Sequence, residues 1–164
     1  MSELNDKRQL FENICQNVSV RVKHQISITR VTCPCCGYPT LKERSRHEIC
    51  RLCDWEDEGE DDLHYPDDHQ YIGGANGAYT LSDARENFAR YGVMYPPDHI
   101  AFTGSDPEQR RALKQDLMGL YDQLLDAAPS EYPALWKRAI TVERSLSKET
   151  EKSLKEAYAA RLNK

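Results

Sequence analysis

Apolar residues change their spacing near residue 17. Over 3–16, Leu10, Phe11, Ile14 and Cys15 fall on one side of a short helix. Val18, Val20, Val22, Ile26 and Ile28 then occupy alternate positions with polar residues between them, which predicts a half-buried strand. Residues 31–55 are punctuated by Pro34, Gly37 and Pro39 and read as short hairpins, and 54–77 read as irregular loop. Three glycines within 73–77 require a backbone that turns tightly or sits close to something.

Helical spacing returns at about 81–91, where Leu81, Ala84, Phe88 and Tyr91 share a face, and Tyr95-Pro96-Pro97-Asp98 ends it. The strongest helical pattern covers about 106–127. Ser105 and Glu108 have capping-box spacing, Pro107 lies in the first turn and Pro129 stops the helix. Its stripe of Leu113, Leu117, Leu120 and Leu124, widened by Met118, Tyr121 and Leu125, is read as core. Residues 130–144 contain Trp136 but have weak periodicity. Ser147 is a candidate cap for a last, surface helix over about 148–162, with Leu154, Ala157, Tyr158 and Leu162 as its apolar residues. The pattern predicts an α+β fold: a small ribbon of short hairpins, flanking α-helices and a helical C-terminal half. The expected division is 1–30 (helix and strand), 31–95 (ribbon) and 96–164 (helical segment).

Composition sharpens this. Only 39% of the 164 residues are hydrophobic and 30% are charged, so the core is modest and a metal cross-link would help it. The net charge of −5 disfavours nucleic acid as a partner unless basic residues segregate onto one face, and suits a basic protein surface. The charged N-terminus lacks the apolar run of a signal peptide, and no stretch approaches the roughly 18 apolar residues of a membrane span. A cytoplasmic protein is expected, and its six cysteines are read as metal ligands or free thiols before disulfides.

Cys33 and Cys36 form one C-x2-C pair, Cys50 and Cys53 another. A C-x2-C turn places two sulfurs on one side of a tight loop, and zinc takes four such ligands tetrahedrally. Pro34 presets the first turn, and Gly37 permits the positive φ that often follows the second ligand. The pattern predicts a structural Zn2+ held by Cys33, Cys36, Cys50 and Cys53, closed to water and so unsuited to catalysis. Nothing signals secretion, which argues against disulfides; two pairs outside any βαβ pattern argue against a thioredoxin-like redox pair. Cys35 can substitute for Cys33 or Cys36, and otherwise is a free thiol beside the knuckle; Cys15 is read as core.

Nine carboxylates and no Lys or Arg lie between Asp54 and Asp68. A solvated loop accounts for them without further function. As a function, Glu56, Asp57, Glu58, Glu60, Asp61 and Asp62 would form a face that docks on a basic partner. His64, His69 and His99 show no catalytic or metal-helix spacing, and Gly73-Gly74-Ala75-Asn76-Gly77 lacks the lysine of a phosphate-binding loop. Trp55 is expected to pack over the metal site. No enzyme is expected; the thiol-enzyme alternative would need Cys35 as nucleophile.

The ordered motifs Cys33-Pro34-Cys35-Cys36-Gly37-Tyr38-Pro39-Thr40-Leu41, Glu48-Ile49-Cys50 with Cys53 and Trp55-Glu56-Asp57, Gly73 to Gly77, and Leu81 to Phe88 resemble the cysteine-rich CPCC family of bacterial proteins. The likeness spans about residues 31–95. It departs from the family pattern at Arg51-Leu52, where a Pro-containing dipeptide is expected, without altering ligand spacing. The resemblance implies a small zinc-ribbon domain, and, because some members are encoded beside polymorphic toxins, an immunity protein that binds a cognate toxin, with a nuclease as the natural basic target. The alternative is a zinc-ribbon adaptor in transcription or nucleic-acid handling, using a basic face of Lys42, Arg44, Arg46 and Arg51.

Overall fold

A computed structural model of the chain describes residues 3–16, 18–21, 23–59, 74–99 and 108–164. The fold is α+β: a short β-hairpin flanked by helices, with a long helical C-terminal region. It divides into two compact units, residues 1–105 and 106–164.

In the first unit, helix α1 (Glu3–Ile14) carries Glu3 and Asp6 in its first turn, where the helix dipole favours negative charge. It buries Phe11, followed closely by buried Cys15, while Leu10 is 55% exposed. The expected apolar face is therefore narrower than its spacing suggested. The predicted single strand is a hairpin. β1 (Val18–Arg21) and β2 (Gln25–Ile28) pair antiparallel, Val18 opposite Ile28 and Val20 opposite Ile26. Alternation continues in one phase across both strands because a reversal over an odd number of residues returns the same face to the core. Val20 and Ile28 are buried; Val22 lies outside the described residues.

Helix α2 (Leu81–Tyr91) begins with a capping box in which Thr80 and Asp83 satisfy each other's backbone N–H groups. It ends at Gly92, whose φ of 72° lets its N–H turn back to Phe88 O at 2.9 Å.

In the second unit, helix α3 (Glu108–Asp126) packs on helix α4 (Tyr132–Leu162), joined through a 3-10 turn at Pro129–Glu131. Leu117, Leu120, Tyr121 and Leu124 are buried on α3; Leu113, Met118 and Leu125 are only half-buried. The proposed caps Ser105 and Pro107 lie outside the described residues. The expected break at Ser147 is absent: α4 runs for 31 residues, and the Ser147 hydroxyl donates to Glu143 O within it. Its periodicity looked weak because a polar residue occupies the buried stripe of Trp136, Ala139, Ile140, Glu143 and Leu146. Glu143 is accommodated by the Tyr121 hydroxyl, which donates to it at 2.5 Å, while the Tyr121 ring meets Trp136 edge-on. No helix among the described residues is long and apolar enough to cross a membrane.

Candidate metal centre

The two C-x2-C segments fold into matching knuckles. In the first, Gly37 N–H donates to Cys33 O at 2.8 Å and Cys33 N–H to Tyr38 O at 2.9 Å. In the second, Asp54 N–H donates to Cys50 O at 2.9 Å and Cys50 N–H to Trp55 O at 2.8 Å. Each turn needs a left-handed residue after its second cysteine. Gly37 supplies φ 78° without strain; Asp54 supplies φ 68° in the second, a conformation that Asp tolerates better than most residues.

Minimal antiparallel pairings hold each knuckle: Val31 with Leu41 around the first, Ile49 with Glu56 around the second. This is a zinc-ribbon-like arrangement. It brings the sulfurs of Cys33, Cys36, Cys50 and Cys53 within 4.8 Å of one another, all buried. The Cys33–Cys53 and Cys36–Cys50 sulfurs are 3.6 and 3.7 Å apart. A tetrahedron with zinc–sulfur bonds of about 2.3 Å has edges of about 3.8 Å, so the cluster has the dimensions of a tetrathiolate zinc site. Cys35 is buried beside it, within hydrogen-bonding reach of Cys53, but is not one of the four convergent sulfurs.

Burial pushes the Cys33 and Cys53 thiols well above their ordinary range and raises Cys36. It acts in the same direction on Cys50. There, donors from Cys33, Cys36, Cys53 and the Thr40 hydroxyl, 3.1 Å from the sulfur, outweigh it and hold Cys50 well below that range. Cys50 thus ionises most readily among four buried thiols, and the other three would lose their protons to a divalent ion bound between them.

The surrounding elements fasten to the knuckles. On α1, Arg8 donates to Thr32, whose hydroxyl donates to Glu12, and Phe11 and Lys7 pack over Tyr38. On α2, Arg85 donates to Pro34 O at 3.0 Å. Met94 N–H then donates to Cys53 O at 2.8 Å, with Asn87 holding Met94 O. The glycine-rich turn serves the second knuckle: Asn76 is buried, and its amide both accepts from Glu56 N and donates to Glu56 O. Ala75 N–H donates to the Glu58 carboxylate at 3.0 Å. Asn76, Arg85 and Asn87 were not singled out from the sequence as site residues. Their signal was there, as polar residues inside dense motifs, but only the fold shows what they hold.

Residues 31–109 match the family described as Cysteine-rich CPCC. This chain belongs to that family. The CPCC match runs past residue 95, where the sequence resemblance stopped, through the segment after α2. No curated protein and no solved structure matches the chain. In CPCC terms, the Cys33-Pro34-Cys35-Cys36 signature supplies two of the four convergent sulfurs, Cys33 and Cys36.

The predicted acidic face divides. Glu56 and Glu58 are partly exposed, with the His47 ring 3.0 and 3.8 Å from their carboxylates. Asp57 is completely buried. Its carboxylate accepts from Arg44, Ser45 N and Gly59 N, which makes it an internal anchor of the second hairpin and no part of an exposed face. Glu60, Asp61 and Asp62 lie outside the described residues, as do His64 and His69. The candidate basic face is thinned in the same way: Arg44 pairs with Asp57 and Arg46 with Glu43.

Proposed function

We propose that this CPCC protein is a non-catalytic immunity protein that neutralises a bacterial toxin by binding a basic surface on it, with a structural Zn2+ holding the binding module rigid. The observation that carries the reading is the second knuckle, which supplies Cys50 and Cys53 to the buried four-thiol cluster and also carries an acidic edge: Glu56 and Glu58 lie three and five residues after Cys53. Four thiolates leave a bound zinc no position for an activated water, so the metal would supply rigidity. Rigidity lowers the cost of ordering the contact surface on binding. The acidic edge, continued in sequence by Glu60, Asp61 and Asp62, would speed encounter with a basic partner such as a nuclease. Arg44 is held by the buried Asp57 carboxylate, which takes one of the four cations that a nucleic-acid adaptor would use near the ribbon.

The test is co-expression with the product of the neighbouring gene. A stable complex, with growth arrest by that product relieved only when this protein is present, is the expected outcome. Absence of both complex and toxicity would overturn the reading. Reversing charge at Glu56, Glu58, Glu60, Asp61 and Asp62 is expected to slow association about ten-fold or more at low salt and much less at high salt.

A further inference from the structure

Beside the acidic edge lies a group of aromatic rings that the metal centre does not use. Tyr95 and His99 stack face to face, with centroids 4.2 Å apart and planes 5° from parallel. Tyr79 meets both edge-on, at 5.8 and 5.5 Å. All three are half-buried, so the group presents ring surface while being fixed by its own packing. Burial, with the charges of Asp54 and Glu56 adding to it, raises the Tyr95 phenol above its ordinary range. Tyr79 borders a hollow of about 280 Å3, whose remaining wall is Ala78, Asp83, Glu86, Asn87 and Pro96.

The chemistry of this hollow is specific. At about 280 Å3 it lies at the small end of ligand pockets and is large enough to take one long side chain. Its charged walls are both carboxylates. Asp83 is engaged with the Thr80 N–H, and among the described residues Glu86 pairs with an exposed partner one helical turn away, Arg90, which an incoming cation can displace. The ring of Tyr79 offers a π face, to which a guanidinium binds better than any neutral group. A second copy of this chain is a poor occupant, since two molecules of net charge −5 repel.

We infer that the Tyr79–Tyr95–His99 group is the affinity-determining docking surface for a basic protein partner, and that the hollow beside Tyr79 receives one of its arginine side chains. The inference rests on the proposal above that the partner is basic, and it supplies what the acidic edge lacks. Exposed charge mainly sets encounter rate and specificity, whereas affinity concentrates in a few rigid aromatic anchors.

The probe is the capped peptide Gly-Arg-Gly-Arg-Gly, titrated into the zinc-loaded full chain and followed by amide NMR shifts. The control is the same peptide with citrulline, a neutral isostere, in place of arginine. Shifts at Tyr79, Glu86 and Tyr95 that appear with arginine and not with citrulline are expected. Tyr79→Ala should weaken that binding ten-fold or more. Tyr79→Leu, which keeps an apolar side chain at the position and removes the ring, should do the same, so the result stands even if the alanine variant folds poorly. Equal shifts with both peptides, shifts that map elsewhere, or full binding by Tyr79→Leu would overturn the inference. None of those results touches the neutralisation proposal, whose growth assay does not depend on this surface.

Discussion

Thr40 is 1% exposed, and its hydroxyl stands 3.1 Å from the Cys50 sulfur. A buried donor to a ligating thiolate stabilises the charged form and fixes the direction of its lone pairs. Thr40→Val, which keeps the shape and removes the donor, should weaken zinc binding by roughly 10- to 100-fold in competition with a chromophoric chelator. Thr40→Ser, which keeps the hydroxyl, should retain most of the affinity; undiminished zinc binding by Thr40→Val would mean that the hydroxyl is idle. Cys15 behaves in the opposite way. It is fully buried with no convergent thiols, and burial pushes it up to about 12 from an ordinary 9.0, with the Arg30 charge pulling slightly back. Below pH 9 the thiol is protonated in folded and unfolded chains alike, so its stabilising contribution is fully present. Between 9 and about 12 the unfolded chain loses the proton while the folded chain keeps it, so stability falls across that window. Denaturant titrations at pH 8 and pH 11 should show this fall in the native chain and a smaller one in Cys15→Ala.

At the scale of elements, what fastens the second knuckle is side chain as much as strand. The paired hydrogen bonds from Asn76 to Glu56 N and O imitate one rung of a β-ladder. Asn76→Ala leaves both groups without that partner and should cost about 1–3 kcal/mol in chemical denaturation. Tyr121→Phe is the counterpart in the second unit. It removes the donor to the buried Glu143 carboxylate and should also cost about 1–3 kcal/mol. These two contacts mark where the sequence was legible and where it was not. The cysteine spacing announced the cluster because four ligands around one ion leave little geometric freedom. The helix over 81–91 was legible from its apolar spacing, of which Leu81 and Ala84 are buried while Tyr91 is exposed; its Thr80 and Gly92 caps were not read from the sequence. Asn76 gave no such sign, because a side chain that replaces a strand has no periodicity. Glu143 masked the continuity of α4, since a polar residue in an apolar stripe reads as an interruption until its partner is seen. Asp57 was hidden by its neighbours: one buried carboxylate within an acidic run looks like the rest until Arg44 is found against it.

At the scale of the whole molecule, the metal centre belongs to the first unit. In the 1–105 unit, α1, α2, the Asn76 turn and the Met94 segment all attach to the knuckles, so the cluster is its organising centre. Removing the ion with a strong chelator should therefore loosen this unit broadly, since metal-binding free energy in such sites is largely folding free energy. Amide exchange should rise together at α1, both knuckles and α2. Loss of protection confined to residues 33–53 would mean that the surrounding elements hold without the ion.

A zinc enclosed by the four sulfurs would serve architecture and leave the protein to act by binding. Zinc-edge X-ray absorption on the purified chain reads the ligand set. One zinc per chain with four sulfur scatterers at about 2.3 Å and no nitrogen or oxygen ligand is expected. A nitrogen or oxygen ligand at about 2.0–2.1 Å, or fewer than four sulfurs, would contradict it and reopen the site to chemistry.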